Sequence, residues 1–225
     1  MRRKKIAIMV FIVLGVFLAG CGGKQEITNN ESEDTKENIS EKQQEKEKEE
    51  AKTEKTSEAV TQRKNTDFRD IIWGDDIDTL IQYEGDDYDL SDNMYAYERK
   101  VAGYDAYTFF AVGDDEKIHS AGYSFMNTYT VGSQYISQYN ILKESLTEKY
   151  GEPYEDEIIP LETQSLIDTA GESKALEYGY VVYRSRWKTN TSEIMLGMMS
   201  ENYNIGLIIQ YNDINYEFKA NTDGL

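Results

Sequence analysis

Residues 133–153 read SQYISQYNILKESLTEKYGEP, and this stretch decides the fold. Tyr135, Tyr139, Leu142, Leu146 and Tyr150 recur at spacings of four and three, which puts them on one face of a helix. Ser133 offers an N-cap. Gly151 and Pro153 end the helix, one as a left-handed cap and the other as a breaker. Three runs of strand character precede it, at 94–101, 104–112 and 117–126, rich in Tyr, Phe, Val and Thr. The acidic, turn-rich GDDEK (113–117) joins the second and third as a hairpin. Earlier still, WGDDIDTLIQYEG (73–85) predicts a shorter helix, with Asp75 as N-cap, Ile77, Leu80 and Ile81 on one face, and Gly85 as the stop.

Beyond the long helix, 154–175 reads as an extended polar loop. Three further strands follow, at 176–188, 193–200 and 205–212. The order is therefore helix and three strands, then helix and three strands. Sequential hairpins without βαβ alternation predict an α+β domain over 67–225. It would have an antiparallel sheet of about six strands in two meanders, with two helices on one face. The two helix-plus-three-strand halves suggest a duplication, although no strong residue identity links them.

At the other end of the chain, Met1–Lys5 carry four positive charges, and IAIMVFIVLGVFL (6–18) carries none. Thirteen apolar residues fall short of the roughly 20 that a permanent membrane span needs, and they suit a secretory signal peptide. Leu18-Ala19-Gly20-Cys21 resembles the lipobox of bacterial lipoproteins at all four positions. That resemblance implies cleavage of residues 1–20, diacylglycerol on the Cys21 thiol, and an exported protein held at the outer face of the cytoplasmic membrane. Two or more fatty chains give durable anchoring where one does not. Cys21 is the only cysteine, so it reads as a lipid tether, and no disulfide can form within the domain.

Residues 22–66 form the cord. Stretches such as EKQQEKEKEEAKTEKTSEA (41–59) hold too little apolar surface to offset the entropy of ordering, so residues 21–66 are expected to be a disordered, Glu/Lys-rich linker. A flexible coil of 45 residues reaches about 35–40 Å. Twenty-five of the 27 aromatic residues lie after it, in 67–225, which supplies enough burial for one core.

The domain holds 30 acidic and 11 basic side chains, net −19. Nucleic acid is excluded as a partner, because phosphates demand cationic neutralisation. Contact with the membrane would pass through the lipid anchor alone. No dinucleotide or P-loop motif and no zinc-protease motif occurs. With His119 as the only histidine, a conventional zinc site cannot be assembled, and His119 in KIHSAGYSF (117–125) reads as an ordinary strand residue. GDDYDLSDNMYAYE (85–98) echoes a calcium loop, with Asp87, Asp89, Asp92 and Glu98 as candidate ligands. The expected glycine is replaced by Asp92, and Glu98 falls within a strand. Paired carboxylates for glycoside hydrolysis can always be drawn from so acidic a chain, so they discriminate nothing.

Eighteen tyrosines exceed what a core needs. Tyr178 and Tyr180 share strand parity with Arg184 and Arg186, which are rare cations here, and these four are the candidate partner-binding residues. In a looser likeness, FRDIIWGDDIDTLIQYEG (68–85), the meander and ILKESLTEKYGEP (141–153) are similar to small exported lipoproteins of Gram-positive bacteria without assigned activity. The helix-then-meander order also resembles the repeats of β-lactamase-inhibitory proteins and the small lipoprotein of the outer-membrane barrel assembly machine. Those resemblances imply a non-catalytic, cofactor-free module that binds an extracellular protein or a cell-wall component. The alternatives are a divalent-cation-binding or sensing lipoprotein, and a hydrolase using paired carboxylates.

Overall fold

The computed structural model describes residues 63–217. The expected signal peptide, Cys21 and all but the last few residues of the linker lie outside the described residues. The elements run α1 (Ile77–Glu84), β1 (Asp89–Ser91), β2 (Met94–Val101), β3 (Tyr104–Val112), β4 (Ile118–Phe125) and α2 (Gly132–Tyr150). They continue with β5 (Glu155–Pro160), α3 (Gln164–Ala170), α4 (Glu172–Glu177), β6 (Val181–Lys188), β7 (Ser192–Glu201) and β8 (Asn204–Asp213).

The class is α+β, as expected, but the sheet has eight strands instead of six, and the described residues form four helices instead of two. Its order is β1-β2-β3-β4-β8-β7-β6-β5, and every neighbouring pair is antiparallel. Each half is thus a four-stranded meander, and the last strand of each meets the other at the centre. The stretch 154–175 is an edge strand and two short helices, not a loop.

The caps differ from expectation in an instructive way. Asp76 caps α1, its Oδ1 accepting from Thr79 N–H at 2.9 Å, while Asp75 accepts from Ile72 N–H at 2.8 Å and pairs with Arg63. Gly85 ends α1 where expected, its N–H donating to Ile81 O. Helix α2 has no side-chain cap of its own, since its N-cap position is Val131. Gly132 N–H donates instead to Glu177 Oε1 at 2.7 Å, and Ser133 N–H to Ser173 Oγ at 3.0 Å. Helix α4 therefore satisfies the first donors of α2, which a helix start otherwise leaves unpaired.

All four helices pack on one face of the sheet. Tyr135, Tyr139, Leu142 and Leu146 of α2 are buried as their spacing predicts, beside Leu80 of α1, Leu176 of α4 and the alternating strand residues Tyr97, Phe110, Tyr183, Ile194 and Tyr211. Trp187 is 1% exposed, and its Nε1–H donates to Gly151 O at 2.9 Å, locking the end of α2 to β6. Residues 67–73 close one end of this core. Phe68 is buried against Phe110, Tyr123 and Tyr211, with ring centroids 5.5, 5.0 and 4.9 Å away.

Candidate functional site

Among the described residues, the opposite face of the sheet carries no helix. Strand alternation delivers to it Met94, Ala96 and Glu98 from β2, Tyr107 and Phe109 from β3, and Ser120, Gly122 and Ser124 from β4. From the second meander come Ile208, Gln210 and Asn212 of β8, Met195 and Met199 of β7, and Arg184 and Arg186 of β6. Met94, Ala96 and Phe109 on this side are themselves buried, between 1% and 7% exposed, with half-buried Tyr107 and Ile208 packed against them. Gly122 makes room for this packing. A Cβ there would lie 2.1 Å from Ile209 O and 2.7 Å from Phe109 Cζ, so the Phe109 ring rests on bare backbone. Beside it Gln210 Nε2–H₂ donates to Ser120 Oγ at 3.1 Å and Asn212 Oδ1 at 3.0 Å, and Ser120 Oγ–H donates to Asn212 Oδ1 at 2.8 Å.

The β5 edge of this face is charged. Glu155 stands opposite Arg186, and Glu157 opposite Arg184, across the β5–β6 ladder. Arg184 contacts both glutamates, lying 2.5 Å from Glu155. Arg186 binds Glu155 at 3.3 Å and also Glu193, and its guanidinium lies 5.6 Å from the centre of the Tyr154 ring. Burial raises the Glu155 carboxyl, but the charge of Arg184 and hydrogen bonds from its neighbours outweigh this and hold it below the usual range. Burial and the hydrogen bond to Glu193 push the Tyr154 hydroxyl up to about 12.

Of the four candidate partner-binding residues, the structure brings Arg184 and Arg186 together on the open face. Tyr178 and Tyr180 precede β6, in a turn where Gly179 adopts φ 73°, and this turn interrupts the strand parity that the sequence suggested. Tyr180 packs against the helix-side core. Tyr178 meets Tyr180 at a tilt and Tyr203 edge to face, with centroids 5.5 and 6.1 Å away. Of the other sixteen tyrosines, Tyr95, Tyr97, Tyr135, Tyr139, Tyr183 and Tyr211 are buried in the core and five more pack half-buried against it.

The calcium-loop candidates occupy a β-hairpin. Asp89 lies in β1 and Glu98 in β2, while Asp92 and Asn93 form the turn with φ of 48° and 61°. Asp87 is 3.6 Å from Arg99, and Glu98 accepts from the Tyr107 hydroxyl at 3.3 Å. Among the described residues no three His, Cys, Asp or Glu side chains gather in a metal-ligating group.

His119 is engaged on every side. Its Nδ1 lies 2.9 Å from Asp213 Oδ2, its Nε2 lies 3.0 Å from Asp115 Oδ2, and Tyr216 stacks on the ring at 3.7 Å and 6°. The Tyr216 hydroxyl accepts from Asp114 N–H at 2.9 Å. The histidine thus clasps the segment after β8 to the β3–β4 turn. Sequence reading missed this clasp because its members are separated by about a hundred positions. The single histidine was the one available clue. No family model matches the chain, and no curated protein sequence or solved structure matches it either.

Proposed function

We propose that the protein is an exported lipoprotein, held by lipid on Cys21 at the outer face of the cytoplasmic membrane. Its domain binds a protein or cell-wall component without catalysis. The basic n-region, the apolar run and the lipobox-like Leu18-Ala19-Gly20-Cys21 support the anchoring. The observation that supports the binding role is the asymmetry of the sheet: among the described residues every helix packs on one face, while the other presents the half-buried Tyr107, Met195, Met199 and Ile208. Six strands of 8–10 residues present an area on the order of 800 Å², from the usual spacing and rise, which is one partner's share of a standard protein interface. Half-buried apolar side chains bordered by polar and ion-paired groups have the anatomy of such an interface.

A protein partner is the occupant this face favours. A flat sheet lacks the walls that a hydrolase needs to exclude water around a carboxylate pair, and Glu155, Glu157 and Glu193 are committed to arginines. The test is affinity capture from envelope extracts with the mature chain, comparing wild type with Ile208→Asp on this face and Glu148→Lys on the outer side of α2. The expected result is a discrete partner retained by wild type and Glu148→Lys and lost with Ile208→Asp. Equal capture by all three proteins would exclude the face. Mass spectrometry of the native protein tests the anchor, and an unmodified Cys21 thiol would overturn that part.

A further inference from the structure

We infer that a second site lies on the helix side of the sheet, a cleft that accepts an uncharged saccharide unit. The cleft has a volume of about 550 Å³ and opens between the N-terminal segment 65–69, the C-terminal end of α2 and the β6–β7 turn. This lies within the roughly 300–1,000 Å³ of small-ligand sites. Three kinds of group meet there.

Aromatic rings make the walls. Tyr123 and Tyr150, both half-buried, reach its surface, with Phe68 and Tyr211 buried behind them at 3% and 5% exposed, and the Tyr150 hydroxyl donates to the Tyr211 hydroxyl at 3.3 Å. Rings of this kind pack against the C–H face of a pyranose and leave its hydroxyls to the rim. The rim itself is pre-formed. Trp73 N–H donates to Asp67 Oδ2 at 2.8 Å, and Trp73 Nε1–H donates to Ser192 Oγ at 2.9 Å. In the turn Thr189 Oγ1 accepts from Ser192 N–H at 2.9 Å. These bonds occupy the groups that hold the shape, whereas the Asn65, Asn190 and Thr191 side chains make no hydrogen bond to another described residue. Two amides and a hydroxyl therefore stand at the mouth of an aromatic cleft, able to donate to and accept from sugar hydroxyls.

Charge selects among ligands. Arg69 is neutralised by Glu84 at 2.5 Å, and Lys149 sits over the Tyr150 ring at 4.9 Å, with Asp67 across the cleft. The local charges nearly cancel, while the net −19 of the domain repels anions. A neutral polyol meets no such penalty. This site is on the opposite side of the sheet from the proposed partner face, so either reading can fail without the other.

The experiment titrates the mature protein with chitotetraose, cellotetraose and tetragalacturonate, following tryptophan fluorescence. Trp73 is bonded to Ser192 of the lining and reports on the cleft, whereas Trp187 is buried in the core at 1% exposed. The comparison protein is Asn190→Ala/Thr191→Ala, whose changes lie on an exposed turn, with its thermal midpoint checked against wild type. We expect a saturable change with at least one uncharged tetrasaccharide, weakened about tenfold or more in the double variant, the equivalent of losing about 1.4 kcal/mol of hydrogen bonding. Capture of the sheet-face partner should be unaffected. Absence of saturable binding by either uncharged sugar, binding of tetragalacturonate alone, or undiminished binding by a folded double variant would each overturn the inference.

Discussion

His119, the one histidine of the chain, is held in place by contacts on both ring nitrogens and one ring face. Both ring nitrogens face carboxylate oxygens, and Asp213, whose side chain is 8% exposed, accepts from Asn215 N–H through Oδ1 and pairs with the ring through Oδ2. His119→Ala should destabilise the fold by about 1–3 kcal/mol, since a buried acceptor is left unpaired and the stacking with Tyr216 is lost. Urea denaturation measures this, and a change under about 0.5 kcal/mol, the range of ordinary surface substitutions, would refute the clasp. At this scale the sequence was readable for residues that act through their neighbours in the chain. Gly85 and Gly151 stop helices where their positions predict. Residues acting across the fold were not readable. Asp115 and Asp213 are only two of 42 acids until the chain folds.

At the scale of elements, α2 and the long strands were legible because each carries its own periodicity. Strands β2 and β3 have the expected bounds, and β4, β7 and β8 differ by a residue at either end. Strand β6 starts five residues later than expected because α4 and the turn at Gly179 occupy 172–180. The segment EDEIIP was illegible as a strand. Its acids have low strand propensity, and β5 exists because Arg184 and Arg186 neutralise Glu155 and Glu157 from the next strand. Arg184→Ala should therefore loosen β5 before the rest of the sheet. Amide exchange over 155–160 should accelerate about five- to thirty-fold, for a local loss of about 1–2 kcal/mol. Unchanged exchange there would show that backbone pairing alone holds the edge. The capping of α2 by Ser173 and Glu177 follows the same logic, with an element completed by another element.

For the whole molecule, the ion pairs give a common pH dependence. The Asp115 carboxyl is held low by the hydrogen bond to His119, and Asp76 by Thr79. Burial raises Asp156, but Ser185 and Lys143 outweigh it and bring it below its ordinary value, and Lys174 does the same for Glu177. Carboxyls depressed in the folded state add stability that is present above their unfolded pKa values and is lost as pH falls through the folded ones. The urea midpoint should hold steady from pH 7 to about 5 and decline below about pH 4, the ordinary carboxylate range. A midpoint that rises on acidification would mean that relief of the excess negative charge outweighs the pairs. The sequence by itself determined the α+β class, two helices, six strands and the rarity of Arg184 and Arg186, because those rest on local periodicity and composition. Only the tertiary structure decided that the meanders join at β4 and β8, that acid-rich β5 pairs, and which sheet face the described helices cover. It also gathered the cleft from five separate segments. Long-range pairing of charges, rings and backbone donors made those choices, and no short window of the chain contains both partners.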